Sequence, residues 1–122
     1  MPSALAVSSF SLINANTDQL IGGFNPLANG ASLSFATLGT RNLNILANTL
    51  PSTVGSVDFL LDGRSYLLEN SGPYALAGNN GTDYASWTPT LGQHTLTAIA
   101  YSGSNRTGTA SPAYTIAFTV TD

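Results

Sequence analysis

The sequence predicts an all-β domain in which two mostly antiparallel sheets pack face to face as a β-sandwich of about seven to nine strands. Short segments alternate polar and apolar residues, as strands with one buried face do. Turn dipeptides that contain glycine separate these segments, and no segment keeps a helical period. The chain has 122 residues, of which 43% are hydrophobic. We therefore expect residues 1–122 to form a single domain with its own core.

Three candidate strands lie in the N-terminal half of the chain. Residues 9–12 and 32–35 alternate polar with apolar side chains. Residues 42–48 do the same, so that Leu43 and Ile45 would point toward the core. Proline residues fall between the candidate strands, as expected because proline cannot donate to the hydrogen-bond ladder of a central strand.

A hairpin is predicted near the middle of the chain. Residues 56–62 alternate, with apolar side chains on one face and Asp58 on the opposite face, where we expect solvent. The dipeptide Asp62-Gly63 follows, and it is a strong hairpin signal because such residues accept positive φ. We predict that this strand pairs antiparallel with one that covers residues 66–68.

Two further strands complete the predicted sandwich. Residues 93–101 are rich in β-forming residues, and residues 114–121 have the most regular alternation in the chain. The inward positions of all these strands define the expected core: Phe10, Leu12, Leu33, Phe35, Leu43, Ile45, Val57, Phe59, Leu61, Leu96, Ala98, Ile116, Phe118 and Val120.

The scarcity of charge narrows the classes of function. Only 7% of the residues are charged, against about 25% in a typical soluble domain. The three basic residues, Arg41, Arg64 and Arg106, are far apart, which argues against nucleic-acid binding and against an anionic membrane surface. No apolar run has the length of a membrane helix, so we expect no membrane insertion.

The same composition favours a location outside the cell. A surface built from Ser, Thr, Asn and Gly suits an extracellular or cell-surface module better than a cytoplasmic enzyme. The first residues lack the basic segment of a signal peptide. We therefore expect the domain to be a module excised from a larger protein whose export signal lies elsewhere.

Spaced motif residues occupy the C-terminal half of the chain. They are Val57-x-Phe59-x-x-Asp62-Gly63, Pro73-Tyr74, Trp87, Gly92-x-His94-Thr95-Leu96-Thr97-Ala98-x-Ala100-Tyr101 and Gly108-x-x-Ser111. This pattern resembles the bacterial immunoglobulin-like domains of multidomain secreted glycoside hydrolases and adhesins. The resemblance implies an immunoglobulin-like sandwich that serves as a spacer, stalk unit or accessory domain beside neighbouring domains. The stretch between Tyr74 and Gly92 is longer than such domains usually have.

That long stretch contains the best candidates for ligand binding. Aromatic rings pack on the C–H faces of sugars, while Asn and Asp bind hydroxyl groups. Trp87 is the only tryptophan, and burial in the core is the alternative to its exposure on a sugar-binding surface. The candidate residues for a polysaccharide or cell-surface glycan are Tyr84, Trp87, Asp83, Asn79, Asn80 and Tyr66.

Calcium is the only cofactor that the sequence suggests. Asn14, Asn16 and Asp18 place oxygen atoms at alternate residues, as the start of a calcium loop does. The rest of an EF-hand loop is missing, because Gln19 and Asn25 stand where glycine and glutamate are required. A turn rich in Asn and Asp is the alternative explanation.

No pattern of catalytic residues stands out, so we do not expect an enzyme. His94 is the only histidine, and it lies at the start of a predicted strand, where a structural role is expected. Asp62 is explained by its turn. The spatial assembly of a Ser-His-Asp triad stays open at this point, but no nucleophile elbow occurs.

These observations leave three hypotheses. The first is a non-catalytic accessory module that binds carbohydrate through the aromatic, Asn and Asp residues of the long loop. The second is a structural spacer or adhesin stalk domain without its own ligand. The third is a self-assembling extracellular subunit, because sheet edges without lysine are poorly protected against pairing with other chains.

Overall fold

A computed structural model describes residues 5–81 and 83–122; residues 1–4 and Thr82 lie outside the described part. That part contains eleven strands and one short helix. Their bounds are β1 (Ala6–Asn14), β2 (Gln19–Leu20), β3 (Ala31–Ser34), α1 (Phe35–Leu38), β4 (Leu43–Leu50), β5 (Ser56–Leu61), β6 (Arg64–Glu69), β7 (Asn79–Asn80), β8 (Asp83–Tyr84), β9 (Gly92–Gly103), β10 (Thr107–Ala110) and β11 (Tyr114–Thr121). Strands β2, β7 and β8 have two residues each, so eight strands are longer.

Two main sheets enclose the core, as the sequence predicted. One has the order β2-β1-β4, and the other has the order β3-β11-β9-β5-β6, with β10 pairing to β9. Strands β7 and β8 form a separate two-stranded ladder. The described strand pairs are antiparallel except β3 and β11, which run parallel with Phe118 opposite Ala31. No helix of the described residues has the length and hydropathy needed to cross a membrane.

The predicted core residues are buried, with one exception. Leu61 is only half-buried, because it ends β5 and pairs with Arg64 at the hairpin turn. Phe35 is buried but begins α1 instead of ending a strand. Ser34 caps that helix by accepting a hydrogen bond from the Thr37 N–H, and Gly39 ends it with a φ of 76°. The core also takes in Leu27, Tyr74, Leu76 and Trp87 from segments outside the long strands.

The hairpin predicted at Asp62-Gly63 is confirmed. Strands β5 and β6 pair antiparallel, and Asp62 and Gly63 have φ values of 54° and 80°. Two successive residues with positive φ make the type of turn that matches the twist of a hairpin.

The expectation that Asp58 faces solvent was wrong. Its residue is only 7% exposed, although it lies on the outer face of its sheet. Arg106 reaches over that face from the β9–β10 turn and places its Nη2 atom 3.0 Å from the Asp58 Oδ1 atom. No local pattern indicated that a cation 48 residues away along the chain would cover this carboxylate.

Candidate functional site

One edge of β4 is paired with an interrupted segment. Ala75 lies opposite Leu46, and Trp87 lies opposite Leu43. The Leu43 N–H donates to the Trp87 carbonyl at 2.9 Å, and the Trp87 N–H donates back at 2.7 Å. Because a few residues of β4 face a much longer stretch between Ala75 and Trp87, most of the described residues 77–81 and 83–86 leave the sheet. We call residues 77–86 the excursion, of which Thr82 lies outside the described part.

The excursion folds back on itself as a small hairpin. Asn79 pairs with Tyr84, and Asn80 pairs with Asp83. A hydrogen bond from the Ala85 N–H to the Gly78 carbonyl, 3.1 Å long, closes its base. Positive φ at Gly78 and Gly81 lets the chain turn at the base and at the tip. Because local bonds shape the excursion, Tyr84 has a defined position outside the sheet.

Asn44 holds the base of the excursion from inside the protein. Its side chain is fully buried on β4. The Nδ2 group donates to the carbonyls of Gly78 at 3.0 Å and Ala85 at 2.9 Å. The Oδ1 atom accepts from the N–H groups of Ala77 at 3.0 Å and Ile45 at 2.8 Å. One buried amide is thus fully bonded and joins both ends of the excursion to the sheet.

A cleft lies between the excursion and the turn that joins β1 to β2. Asp18 in that turn has a φ of 59°, and its Oδ1 atom accepts a 2.9 Å hydrogen bond from the Tyr84 N–H. The cleft has a volume of about 490 Å³. Its lining residues are Thr17, Asp18, Gln19, Pro73, Gly81 and Tyr84. The structure therefore brings one residue of the calcium candidate beside one residue of the glycan candidate.

Tyr84 is half-buried in this cleft. Burial and the negative charge of Asp18 raise the pKa of its phenol. The hydroxyl therefore keeps its proton at physiological pH and is able to donate a hydrogen bond. The ring and the adjacent carboxylate give the cleft one aromatic surface and one strong acceptor.

Two of the predicted glycan residues lie away from the cleft lining. Trp87 is only 8% exposed, and its ring meets Phe118 edge-on with the ring centroids 6.4 Å apart. Its side chain is part of the core, so the alternative of core packing describes it and stacking on a surface ligand does not. Tyr66 is 45% exposed on β6, in the opposite sheet, and is not among the residues that line the cleft.

The other glycan candidates lie on the excursion itself. Asn80 and Asp83 are exposed and face each other in the two-stranded ladder. Asn79 is half-buried, and its Nδ2 group donates to the Gly81 carbonyl at 2.7 Å. Asn79 therefore shapes the tip, while Asn80 and Asp83 remain accessible beside the cleft.

Protein hydrogen bonds occupy the calcium candidates. The Asn14 Oδ1 atom accepts from the Asn16 N–H at 2.9 Å, and the Asn16 Oδ1 atom accepts from the Asn42 Nδ2 group at 3.0 Å. Asp18 accepts from Tyr84. Within the described residues, no group of three or more His, Cys, Asp or Glu side chains lies close enough to hold a metal ion. The spacing of these residues therefore fits an Asx turn with two tertiary contacts.

His94 lies between two hydrogen-bond acceptors. Its Nδ1 atom is 2.7 Å from the Asp62 Oδ2 atom, and its Nε2 atom is 2.7 Å from the Thr90 carbonyl. The Thr90 hydroxyl is also 3.2 Å from Nε2, so the order Asp62, His94, Thr90 matches that of a catalytic triad. A nitrogen that donates to a carbonyl is not free to act as a base, so the arrangement differs from a catalytic triad at the position of the general base.

The charges of this pair are mutually stabilising. Burial alone would lower the pKa of His94, but the hydrogen bonds to Thr90 and Asp62 and the charge of Asp62 raise it. Partial burial acts to raise the pKa of Asp62, but the hydrogen bonds from His94 and from the Thr95 N–H lower it. Both groups therefore favour their charged forms.

The arrangement of two stacked sheets, with a parallel contact between β3 and β11, defines an immunoglobulin-like β-sandwich. No protein-family model matches this sequence, and no curated protein matches it. Among solved structures, the chain is similar to the fibronectin(III)-like modules of Clostridium thermocellum CbhA, with 24% identity and a TM-score of 0.50. The match covers 78% of this chain and 92% of that chain. This likeness confirms the predicted fold class.

Three features of the site were not evident from the sequence. Asn44 looked like any polar residue on the outer face of an alternating strand. The contact between Asp18 and Tyr84 joins residues 66 positions apart, and no local pattern links them. Whether the Trp87 side chain is buried or exposed depends on where the long loop rejoins the sheet, and the sequence does not show that point.

Proposed function

We propose that this chain is a non-catalytic accessory module of a larger secreted or cell-surface protein and that it binds carbohydrate in the cleft beside Tyr84. The observation that carries the proposal is the position of Tyr84, which is half-buried and lines the cleft while its backbone N–H is bonded to Asp18. The excursion that holds this ring interrupts the pairing of β4 and is held by a fully bonded buried amide. The excursion gives up backbone pairing along β4, and this loss favours a function at the site over the role of a simple connection between strands.

The lining chemistry suits an uncharged sugar. The ring of Tyr84 and the side chain of Pro73 offer apolar surface for the C–H face of a pyranose. Thr17, Asp18 and Gln19 offer hydrogen-bonding groups for hydroxyls. Among the described residues, the lining includes a carboxylate and no basic side chain. Neutral glycans are therefore favoured over sugars that carry carboxylate or sulfate groups.

The affinity is expected to be weak. A small cleft with one aromatic ring buries little ligand surface, so we expect Kd values from about 10 μM to 1 mM, or about −7 to −4 kcal/mol. Such an affinity suits an accessory module that acts beside other domains of the same protein.

A glycan array followed by calorimetric titration of each hit tests the proposal. Tyr84→Ala should weaken binding at least about tenfold, the change that about 1.4 kcal/mol produces. Asp18→Asn keeps an acceptor for the Tyr84 N–H but removes the charge, and it should also weaken binding. Tyr66→Ala removes an exposed tyrosine from the opposite sheet and is the matched control, with unchanged binding expected. Equal losses in the two tyrosine variants would reject the cleft as the binding site.

A spacer without a ligand is the second candidate. It is favoured by the likeness of the fold to structures described as fibronectin(III)-like modules, with 92% of that chain covered. If no neutral glycan binds the wild-type protein at millimolar concentration, the spacer function is supported and carbohydrate binding is rejected.

A further inference from the structure

Two Asn-Gly dipeptides occur in the chain, and the structure places them in different surroundings. The first, Asn29-Gly30, is bonded to β11. Its Asn29 Oδ1 atom accepts from the Ala117 N–H at 2.7 Å, and the Gly30 N–H donates to the Ala117 carbonyl at 2.6 Å. Both the side-chain amide and the following backbone nitrogen are therefore held in place by the same residue.

The second dipeptide, Asn80-Gly81, lies at the tip of the excursion. Both residues are exposed. Among the described residues, neither the Asn80 side chain nor the Gly81 N–H has a protein hydrogen-bond partner. The space where a Cβ atom of Gly81 would lie is open, with nothing within 4 Å. The backbone nitrogen and the side-chain amide are thus free to approach each other.

We propose that Asn80 is a site of spontaneous deamidation and isoaspartate formation in the native protein and that Asn29 is protected. The Gly81 backbone nitrogen attacks the Asn80 Cγ atom and gives up its proton. The bond from Cγ to Nδ2 breaks, and ammonia leaves with that proton. Water then opens the resulting five-membered succinimide at either carbonyl, which gives aspartate or isoaspartate. No oxidant or reductant is needed.

The product changes the charge at the rim of the cleft. Conversion adds one carboxylate opposite Asp83 in the β7–β8 ladder, beside the Gly81 that lines the cleft. Isoaspartate also lengthens the backbone at the turn by one carbon atom. Deamidation at Asn80 depends on the excursion alone and does not require that the cleft bind a sugar.

The test is peptide mapping of the intact protein after incubation at physiological temperature in mildly alkaline buffer. After incubation the protein is unfolded and digested with trypsin, which cleaves after arginine, so Asn29 and Asn80 fall in different peptides, bounded by Arg41, Arg64 and Arg106. Fragmentation spectra locate each conversion. We expect Asn80 to convert at least about tenfold faster than Asn29, since about 1.4 kcal/mol of added barrier from its two bonds slows the latter tenfold.

Unfolding supplies the control for local sequence. In concentrated urea the two Asn-Gly dipeptides lose their different surroundings, so their rates should become similar. Asn80→Gln should remove the rapid conversion at position 80 and leave the Asn29 rate unchanged. Native rates for Asn29 that equal or exceed those for Asn80 would overturn the proposal. The same rate ratio in urea as in native buffer would do so as well, because the selectivity would then come from neighbouring residues and not from the fold.

Discussion

The two edges of β4 serve the molecule in different ways. Along one edge β1 pairs from Ala6 opposite Leu50 to Asn14 opposite Leu43, with a single register shift. Along the other edge the pairing is limited to short contacts near Leu46 and Leu43, and the excursion leaves between them. The continuous edge gives the sheet its hydrogen-bond ladder. The interrupted edge gives up part of that ladder and gains a cleft, so one strand supports both stability and a candidate site.

The side-chain amides of two asparagines on β4, Asn48 and Asn44, differ in the same way as the two edges. Asn48 extends toward the continuous edge and donates to the hydroxyls of Ser9 at 3.1 Å and Ser11 at 2.9 Å. Asn44 extends toward the interrupted edge and bonds only backbone groups. Where the ladder is complete, the amide adds bonds between side chains. Where the ladder is interrupted, the amide replaces missing backbone partners, which a buried sheet edge requires.

The largest effect should come from the core that both edges share. Phe118 is buried and contacts the Trp87 ring, which anchors the interrupted edge. Phe118→Ala should lower the free energy of unfolding by about 3–5 kcal/mol. Urea denaturation followed by tryptophan fluorescence measures this loss. A midpoint equal to that of the wild type would show that Phe118 does not belong to a common core.

A matched pair of substitutions separates the two edges. Asn44→Ala should cost about 2–3 kcal/mol, because it removes four hydrogen bonds from part-buried and buried backbone groups. Asn48→Ala should cost about 1 kcal/mol or less, since the Ser9 and Ser11 hydroxyls that accept its two bonds can still donate their own protons elsewhere. Hydrogen exchange at Ala85 should accelerate only in Asn44→Ala. Equal costs for the two variants would contradict the special role of the interrupted edge.

The smallest effect should be a dependence of stability on pH that arises from the His94–Asp62 pair, with His94 on β9 in the sheet opposite β4. The folded-state pKa of His94 is raised above about 6.5, so its stabilisation is full below that pH and is lost as the pH rises through the folded value. The pKa of Asp62 is lowered below about 3.8, so its stabilisation is present above that pH and is lost as the pH falls through the folded value.

The measurement is the difference in unfolding free energy between the wild type and His94→Gln across this range. It should be about 1 kcal/mol or less at mildly acidic pH, because Asp62 is largely exposed. It should shrink toward alkaline pH. His94 stacks near Phe118, with ring centroids 5.5 Å apart, so the change should be global. A difference in unfolding free energy that grows as the pH rises would contradict the assignment of a charged His94 beside a charged Asp62.

The sequence predicted the parts of the fold that depend on local patterns. Alternation located the buried residues of β4 and β11, and Asp62-Gly63 located a hairpin, because both signals involve neighbours in the chain. The cleft could not be predicted from the sequence. The contact of Asp18 with Tyr84 depends on where the excursion leaves and rejoins the sheet, and no local pattern indicates those points. The role of the Asn44 amide could not be predicted for the same reason, because three of its four partners follow more than 30 residues later.

The scarcity of basic residues affects how readily proteases of the trypsin type can cleave the protein. Enzymes of the trypsin type cleave after lysine or arginine, and the chain offers them only Arg41, Arg64 and Arg106. Each is bound into the fold: the Arg41 carbonyl accepts from the Thr88 hydroxyl, Arg64 lies in the β5–β6 ladder, and Arg106 lies in a tight turn with a φ of 61°. Cleavage requires an extended, accessible backbone, which local opening must first supply. Native molecules should therefore persist where such proteases are abundant.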